Sequence, residues 1–258
     1  MTVQNFGRVF AMVALGFNLS CLTAFAAEFD SSHALFDAVL KQSVKDARVD
    51  YAGLKARPQE LNRYLSQIAA ENNATFKGRT EPAQIAFLVN AYNAYTLKLI
   101  VDHYPLKSIK DIGNFLSEPW DQPVVRLFGQ VTTLGQLEHG ILRKDYDEPR
   151  IHFALVCAAK GCPPLRAEAY TGARLEVQLV DQARQFLAQP DKNRIAGADR
   201  TIHLSPIFKW YAGDFEKGHG SVVAALRPYW PGASGALASE DLKVRYTTYD
   251  WSLNAQAK

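Results

Sequence analysis

Cysteine is scarce in this 258-residue chain, which holds only Cys21, Cys157 and Cys162. A scaffold stapled by many disulfides is excluded. The two signs of charge nearly cancel, with 29 basic against 26 acidic side chains, so the chain lacks the excess of positive charge with which proteins grip nucleic acid. No H-E-x-x-H, C-x-x-C or glycine-rich phosphate loop occurs, which removes three familiar routes to metal, redox and nucleotide chemistry. No cofactor is implied. There is no internal repeat and no low-complexity block. Beyond the N-terminal leader no segment is apolar enough to span a bilayer, for which roughly 20 apolar residues are needed.

What is present begins with that leader. MTVQNFGR carries one charge, Arg8, and is followed by the apolar run VFAMVALGFNL and the small-x-small triplet Ala24-Phe25-Ala26. This is the layout of a secretory signal peptide over residues 1–26. Asn18, Ser20 and Thr23 break the run and count against a retained anchor. Cleavage leaves residues 27–258 as a single globular domain, periplasmic or secreted, with a net charge that falls from +3 to near +2 as Arg8 departs. Cys21 leaves too. The remaining pair, Cys157 and Cys162, then sits in an oxidising compartment, where two nearby thiols are disulfide candidates.

The pattern of apolar residues predicts a mixed α+β domain: a long buried central helix, shorter helices around it, and a small sheet. Helices are expected at 31–47, at QELNRYLSQIAAEN and at 173–189, with VDYAGL between the first two as an extended piece. PAQIAFLVNAYNAYTLKLIVDH (82–103) is apolar almost all the way round, the mark of a helix in the middle of a domain. VVRLFGQVTTL and NRIAGADRTIHL read as hairpins, the second turning through Gly197-Ala198-Asp199. A helix begins near Thr133, IHFALVC (151–157) reads as a buried strand, LSPIFKWYAGDF starts a helix capped by Ser205, and KVRYTTYDWSLN reads as a last strand.

The candidate site residues follow from this layout. On a helical wheel Glu138 falls inside the apolar stripe of Leu134, Leu137, Ile141 and Leu142, while His139 and Arg143 face away. A carboxylate on the core side needs a partner: either an arginine such as Arg150 or a histidine that it orients. If 151–157 is a regular strand, His152 and Cys157 lie on opposite faces and roughly 16 Å apart, so they form no dyad. His152 is then a core histidine held by Glu138, or meets Cys162 if the loop folds back. Cys157 ends the strand beside a small, flexible loop. As a nucleophile it would need His139 or His203 as base; the competing reading is a Cys157–Cys162 disulfide. Asn90 and Asn93 share one face of the central helix. They either tie loop backbone to it or line a cleft beside residues 157–165. The wheel also predicts that Glu138→Gln is far more damaging than Glu148→Gln, because Glu148 falls in an exposed turn.

QIAFLVNAYNAYTLKLIV, Glu138-His139-x-x-x-Arg143, RIHFALVCAAKGCPPL, LSPIFKWYAGDF and YDWSLN together resemble the bacterial family called domain of unknown function 547, over roughly residues 50–253. The resemblance covers Asn90, Asn93, Glu138, His139, Arg143, His152, Cys157, Cys162 and Pro163. It implies an exported or membrane-associated protein and no agreed activity. Two functions remain open on these residues. One is a thiol enzyme performing acyl transfer or amide hydrolysis on a small-molecule or peptide-like envelope substrate. The other is a non-catalytic envelope domain in which the two cysteines are bonded and Glu138, His152 and Arg143 or Arg150 form a buried network.

Overall fold

In the computed structural model the chain is described over residues 1–2, 29–114, 117–196, 200–230, 237 and 242–257. The leader expected at 1–26, apart from its first two residues, and the turn Gly197-Ala198-Asp199 lie outside the described residues.

The fold is α+β, mostly helical, with three small sheets among the described residues. Its axis is the helix Glu81–His103, in which every residue from Ile85 to Leu97 is buried. Pro82 stands in the first turn, where its missing N–H costs nothing. Helices Ala34–Ser43 and Gln59–Ala70 pack beside it through Phe36, Tyr64 and Ile68. A second apolar cluster, built on Phe153, Phe186, Phe208 and Phe215, joins helix Leu175–Leu187 to the short helices Ile207–Trp210 and Ala212–Glu216. Both expected hairpins form: Val125–Leu127 pairs with Gln130–Thr132, and Arg194–Ala196 with Thr201–Leu204, each antiparallel. The strand Lys243–Tyr246 then adds to Thr201–Leu204 in parallel register. Among the described residues no helix is long and apolar enough to cross a membrane.

Three elements differ from expectation, each for a local reason. The first helix spans Ala34–Ser43, not 31–47. It starts late because the Asp30 carboxylate, itself held by the Ser32 hydroxyl at 2.6 Å, accepts the Ala34 N–H at 3.0 Å. It ends early because Val44–Lys45 pairs antiparallel with Arg48–Val49. VDYAGL is not extended. Asp50 accepts the Gly53 N–H at 2.8 Å and so caps a helix, Tyr51–Ala56. Most consequentially, IHFALVC is not a strand: Ile151–Ala154 is one helical turn, and the chain becomes extended only at Leu155. The alternation of faces that separated His152 from Cys157 therefore does not apply.

Candidate functional site

The site is built on the chain that leaves this helical turn. Asn93, buried on the central helix, donates its amide to the Ala154 carbonyl at 3.0 Å and accepts the Val156 N–H at 3.0 Å. Asn90 makes the same two-way clamp on Tyr170. Both side chains thus tie loop backbone to the helix. Asn93 also borders a cavity of about 10 Å³ beside Ala158 and Leu165, and neither amide lines the large cleft beside the cysteines. Held in this way, the chain reaches Cys157, turns through Ala158 in the left-handed region (φ 60°), and returns to Cys162. The two sulfurs are joined as a disulfide, with Cα atoms 6.3 Å apart.

The C-terminal segment is laid across this loop. Lys160 and Gly161 N–H groups donate to the Ser252 and Asp250 carbonyls, and the Asn254 N–H donates to Ala158. The approach is close at Gly161, where a Cβ would stand 3.0 Å from the Tyr249 ring and from the Asp250 nitrogen. It brings the Tyr249 hydroxyl to 3.0 Å from the Cys157 sulfur and 3.1 Å from that of Cys162. Burial, and then the charge of Glu138, push the Tyr249 phenol well above its ordinary pKa, so it is a hydroxyl at neutral pH.

Glu138 and His139 lie on a π-helical segment, Gln136–Leu142, a geometry that recurs at functional sites. Glu138 is buried and His139 exposed, as the wheel predicts. The partner of Glu138 is neither Arg150 nor a histidine: the Tyr211 hydroxyl donates to it at 2.6 Å. Burial, and next the Glu138 carboxylate, raise the titration of Tyr211 and Tyr92. Arg150 instead serves a separate cluster, clamped between Glu148 and Glu176. Glu148 is correspondingly no idle surface acid; its side chain is 16% exposed. Both Glu138→Gln and Glu148→Gln should therefore cost about 1–2 kcal/mol, read by thermal unfolding. Only Glu138→Gln should lower the pH at which Tyr211 titrates in the ultraviolet.

The histidines are held by an acid the sequence reading did not single out. Asp214 accepts from His152 Nε2 at 2.7 Å and, in bidentate fashion, from Arg143 at 2.6 and 3.0 Å. Arg143 also donates to His139 Nδ1 at 2.9 Å. The hydrogen bond from His152, and then those from Arg143, hold the Asp214 carboxyl well below the usual carboxylate range. The His152 ring stacks on Tyr211 at 3.8 Å between centroids. These bonds assign the neutral tautomers. His139 receives a proton at Nδ1, so its own proton is on Nε2. His152 gives its Nε2 proton to Asp214, which leaves Nδ1 as the free base. Of the two bases expected for Cys157, His139 thus has its Nδ1 lone pair engaged by Arg143, whereas His152, which the strand reading had excluded, keeps Nδ1 outside these bonds.

These groups converge on one cleft of about 340 Å³. Glu138, His139, His152, Cys157 and Cys162 all line it. So do Trp120, Trp210, Tyr211, Tyr249 and Trp251, with Glu118 and Asp121. The aromatics touch one another: Tyr249 lies 4.5 Å from Trp251 and 4.9 Å from Trp210 between centroids. His203, on the strand Thr201–Leu204, does not line the cleft. Arg143 stands behind it, on Asp214. Among the described residues no group of three or more His, Cys, Asp or Glu is placed to hold a metal ion. Asp214 and Tyr249 both fall inside segments quoted above, LSPIFKWYAGDF and YDWSLN, but only contacts across 62 and 92 residues reveal what they do.

Comparison with known proteins adds one family-model match over part of the chain and no activity. The family model described as "Protein of unknown function, DUF547" matches residues 76–187. That stretch holds Asn90, Asn93, Glu138, His139, His152 and both paired cysteines, and ends before Asp214 and Tyr249. No curated protein and no solved structure matches the chain.

Proposed function

Because the chain carries a DUF547 domain over residues 76–187, and that description names no reaction, we propose a function from the cleft itself. The chain is an exported binding protein. Its ligand is a small molecule or peptide segment with a protonated amine on an apolar body. One observation carries this reading. Six tyrosine and tryptophan side chains, Tyr92 included, and three carboxylates, Glu118, Asp121 and Glu138, line the cleft, with no lysine or arginine among the described residues that do so. An ammonium is attracted both to an indole face and to a carboxylate. Trp251 already carries the Lys110 ammonium, 4.0 Å from its ring centroid. The volume falls within the range of small-ligand sites, roughly 300–1,000 Å³. Export is supported by the leader pattern and by the pairing of the two remaining cysteines, the state an oxidising compartment maintains. It predicts that the released chain begins at Ala27, read by its intact mass.

Trp120, Trp210 and Trp251 are three of the four tryptophans, so occupancy is readable by their emission. A lysine-containing dipeptide should quench it saturably, the Nε-acetylated dipeptide should bind about tenfold more weakly, and Asp121→Asn should weaken only the first. Equal binding of the charged and acetylated forms would remove the ionic part of the proposal.

A second reading is favoured by the His152–Asp214 pair in the same cleft as the sulfurs. After reduction, a cysteine thiol would lose its proton to His152 Nδ1, with Asp214 fixing the ring, and attack an acyl carbon. The leaving group departs with its electron pair and takes that proton, and water then hydrolyses the thioester. The reduced protein would then turn over an activated ester, and Cys157→Ser, Cys162→Ser or His152→Ala would stop it in at least one case each for thiol and base. No turnover by the fully reduced chain would end this reading.

A further inference from the structure

The disulfide is not symmetric. Cys162 is 3% exposed, whereas Cys157 is half-buried at the cleft. The Cys162 sulfur accepts two hydrogen bonds, from the Cys157 N–H at 3.0 Å and from the Tyr249 hydroxyl at 3.1 Å. Its carbonyl receives the Lys192 ammonium at 2.7 Å. For the Cys157 sulfur the corresponding contact is the same Tyr249 hydroxyl, at 3.0 Å. That hydroxyl has one proton, and it turns to whichever sulfur holds the charge.

We infer that the Cys157–Cys162 bond is a thiol-exchange centre: an incoming low-molecular-weight thiolate attacks Cys157, and Cys162 departs as the thiolate. Exchange rates depend on which sulfur can be reached and on how well the leaving sulfur bears charge, and here both favour the same direction. Access leads to Cys157. Hydrogen bonds to the charged form stabilise Cys162. In the first step the thiolate RS⁻ forms a bond to Cys157 Sγ, the Cys157–Cys162 bond breaks, and its electron pair goes to Cys162 Sγ. A second thiolate then attacks the outer sulfur of the mixed disulfide. It releases RSSR and the Cys157 thiolate, and the protons of the two RSH end on the protein sulfurs. The protein disulfide and two RSH become a protein dithiol and RSSR. This inference does not rest on either ligand reading.

The charges around the pair favour a thiolate on Cys162 over one on Cys157; the acidic cleft slows the entry of an anionic attacker without changing which sulfur leaves. On the cleft side stand Glu138, His139, His152 and Tyr249. Cys162 also borders a second, polar pocket of about 280 Å³, with Arg48, Lys160 and Lys192 facing Asp46, Asp191 and Asp250. Burial brings Lys192 down to about 8, so it is still largely protonated at neutral pH and adds positive charge beside Cys162.

The test uses the full oxidised chain and reduced glutathione, quenched in acid and mapped by mass spectrometry. Glutathione is expected on Cys157. Its capture on Cys162, or an intact disulfide under conditions where glutathione opens an exposed reference disulfide, would overturn the proposal. Single-cysteine chains give an independent reading through thiolate absorbance. Cys162 in Cys157→Ser should ionise at least about one pH unit below Cys157 in Cys162→Ser. Adding Tyr249→Phe should raise both values by about one unit, a tenfold loss of thiolate below the pKa, and leave Cys162 the lower of the two, because the residue-157 N–H still donates to its sulfur. Equal ionisation of the two, or no effect of Tyr249→Phe, would also contradict it. The mapping needs no variant, so it decides the matter even if a single-cysteine chain fails to fold.

Discussion

Asn93→Ala should lower the unfolding free energy by about 3–4 kcal/mol, measured by urea denaturation. The amide is 2% exposed and satisfies two backbone groups, the Ala154 carbonyl and the Val156 N–H. Both belong to buried residues, and each unsatisfied buried group costs about 1–3 kcal/mol. A small void adds to this. The functional effect should exceed the energetic one, because this clamp sets where the chain leaves the Ile151–Ala154 turn, and with it the position of Cys157. Asn93→Asp should recover only part of the loss. It keeps an acceptor for Val156 but sets a carboxylate oxygen against the Ala154 carbonyl. If Asn93→Ala unfolds within about 1 kcal/mol of the parent, the clamp does not hold the loop.

Asp214→Asn should cost about 2–3 kcal/mol and disorder both histidines of the cleft. Asp214 joins His152, whose side chain is 2% exposed, to Arg143, and it is itself 28% exposed. The figure lies within the range for hydrogen bonds to charged groups, roughly 1.5–3 kcal/mol, and is assigned to the buried His152 bond, with nothing added for the Arg143 pair, which solvent reaches. The pH dependence has a definite sign. The folded-state pKa of Asp214 is depressed below the unfolded value, about 3.9. Its contribution is therefore complete above that unfolded value, and is lost as pH falls through the lower folded one. The gap in melting temperature between parent and Asp214→Asn should be steady near neutrality and close in acid, below about pH 4. A gap that is instead constant into acid would show that the carboxylate charge does not stabilise the fold.

The features legible in the sequence are those set by short-range periodicity. The central helix could be read because no polar face interrupts Ile85 to Leu97, and the hairpins because β-prone runs flank turn residues. Glu138 was legible as a buried acid for the same reason: one turn of spacing places it among leucines. IHFALV is ambiguous because a short run in which His152 is the one polar residue fits a buried strand and a buried helical turn equally well. Taken as a strand, it set His152 and Cys157 on opposite faces. VDYAGL was misread because Asp50 was taken as part of a run and not as a cap. The partners of the site were illegible for a different reason. Asp214 with His152, Tyr211 with Glu138 and Tyr249 with the cysteines are joined across 62 to 92 residues. No local pattern carries such pairings; they follow only from how the two apolar clusters pack against each other.

If the aromatic and acidic cleft is where this protein binds its ligand, removing one wall residue should weaken binding without unfolding the chain. Trp210 tests it most directly. It lies in the cleft wall yet is 48% exposed, so its removal should spare the fold. The measurement is calorimetric titration of the lysine-containing dipeptide into the oxidised parent and into Trp210→Ala. The account predicts saturable binding to the parent, weakened about tenfold in a variant that melts at the same temperature, from loss of a cation–π contact of about 1–2 kcal/mol. Equal affinity for both proteins, or no binding to either, would contradict it.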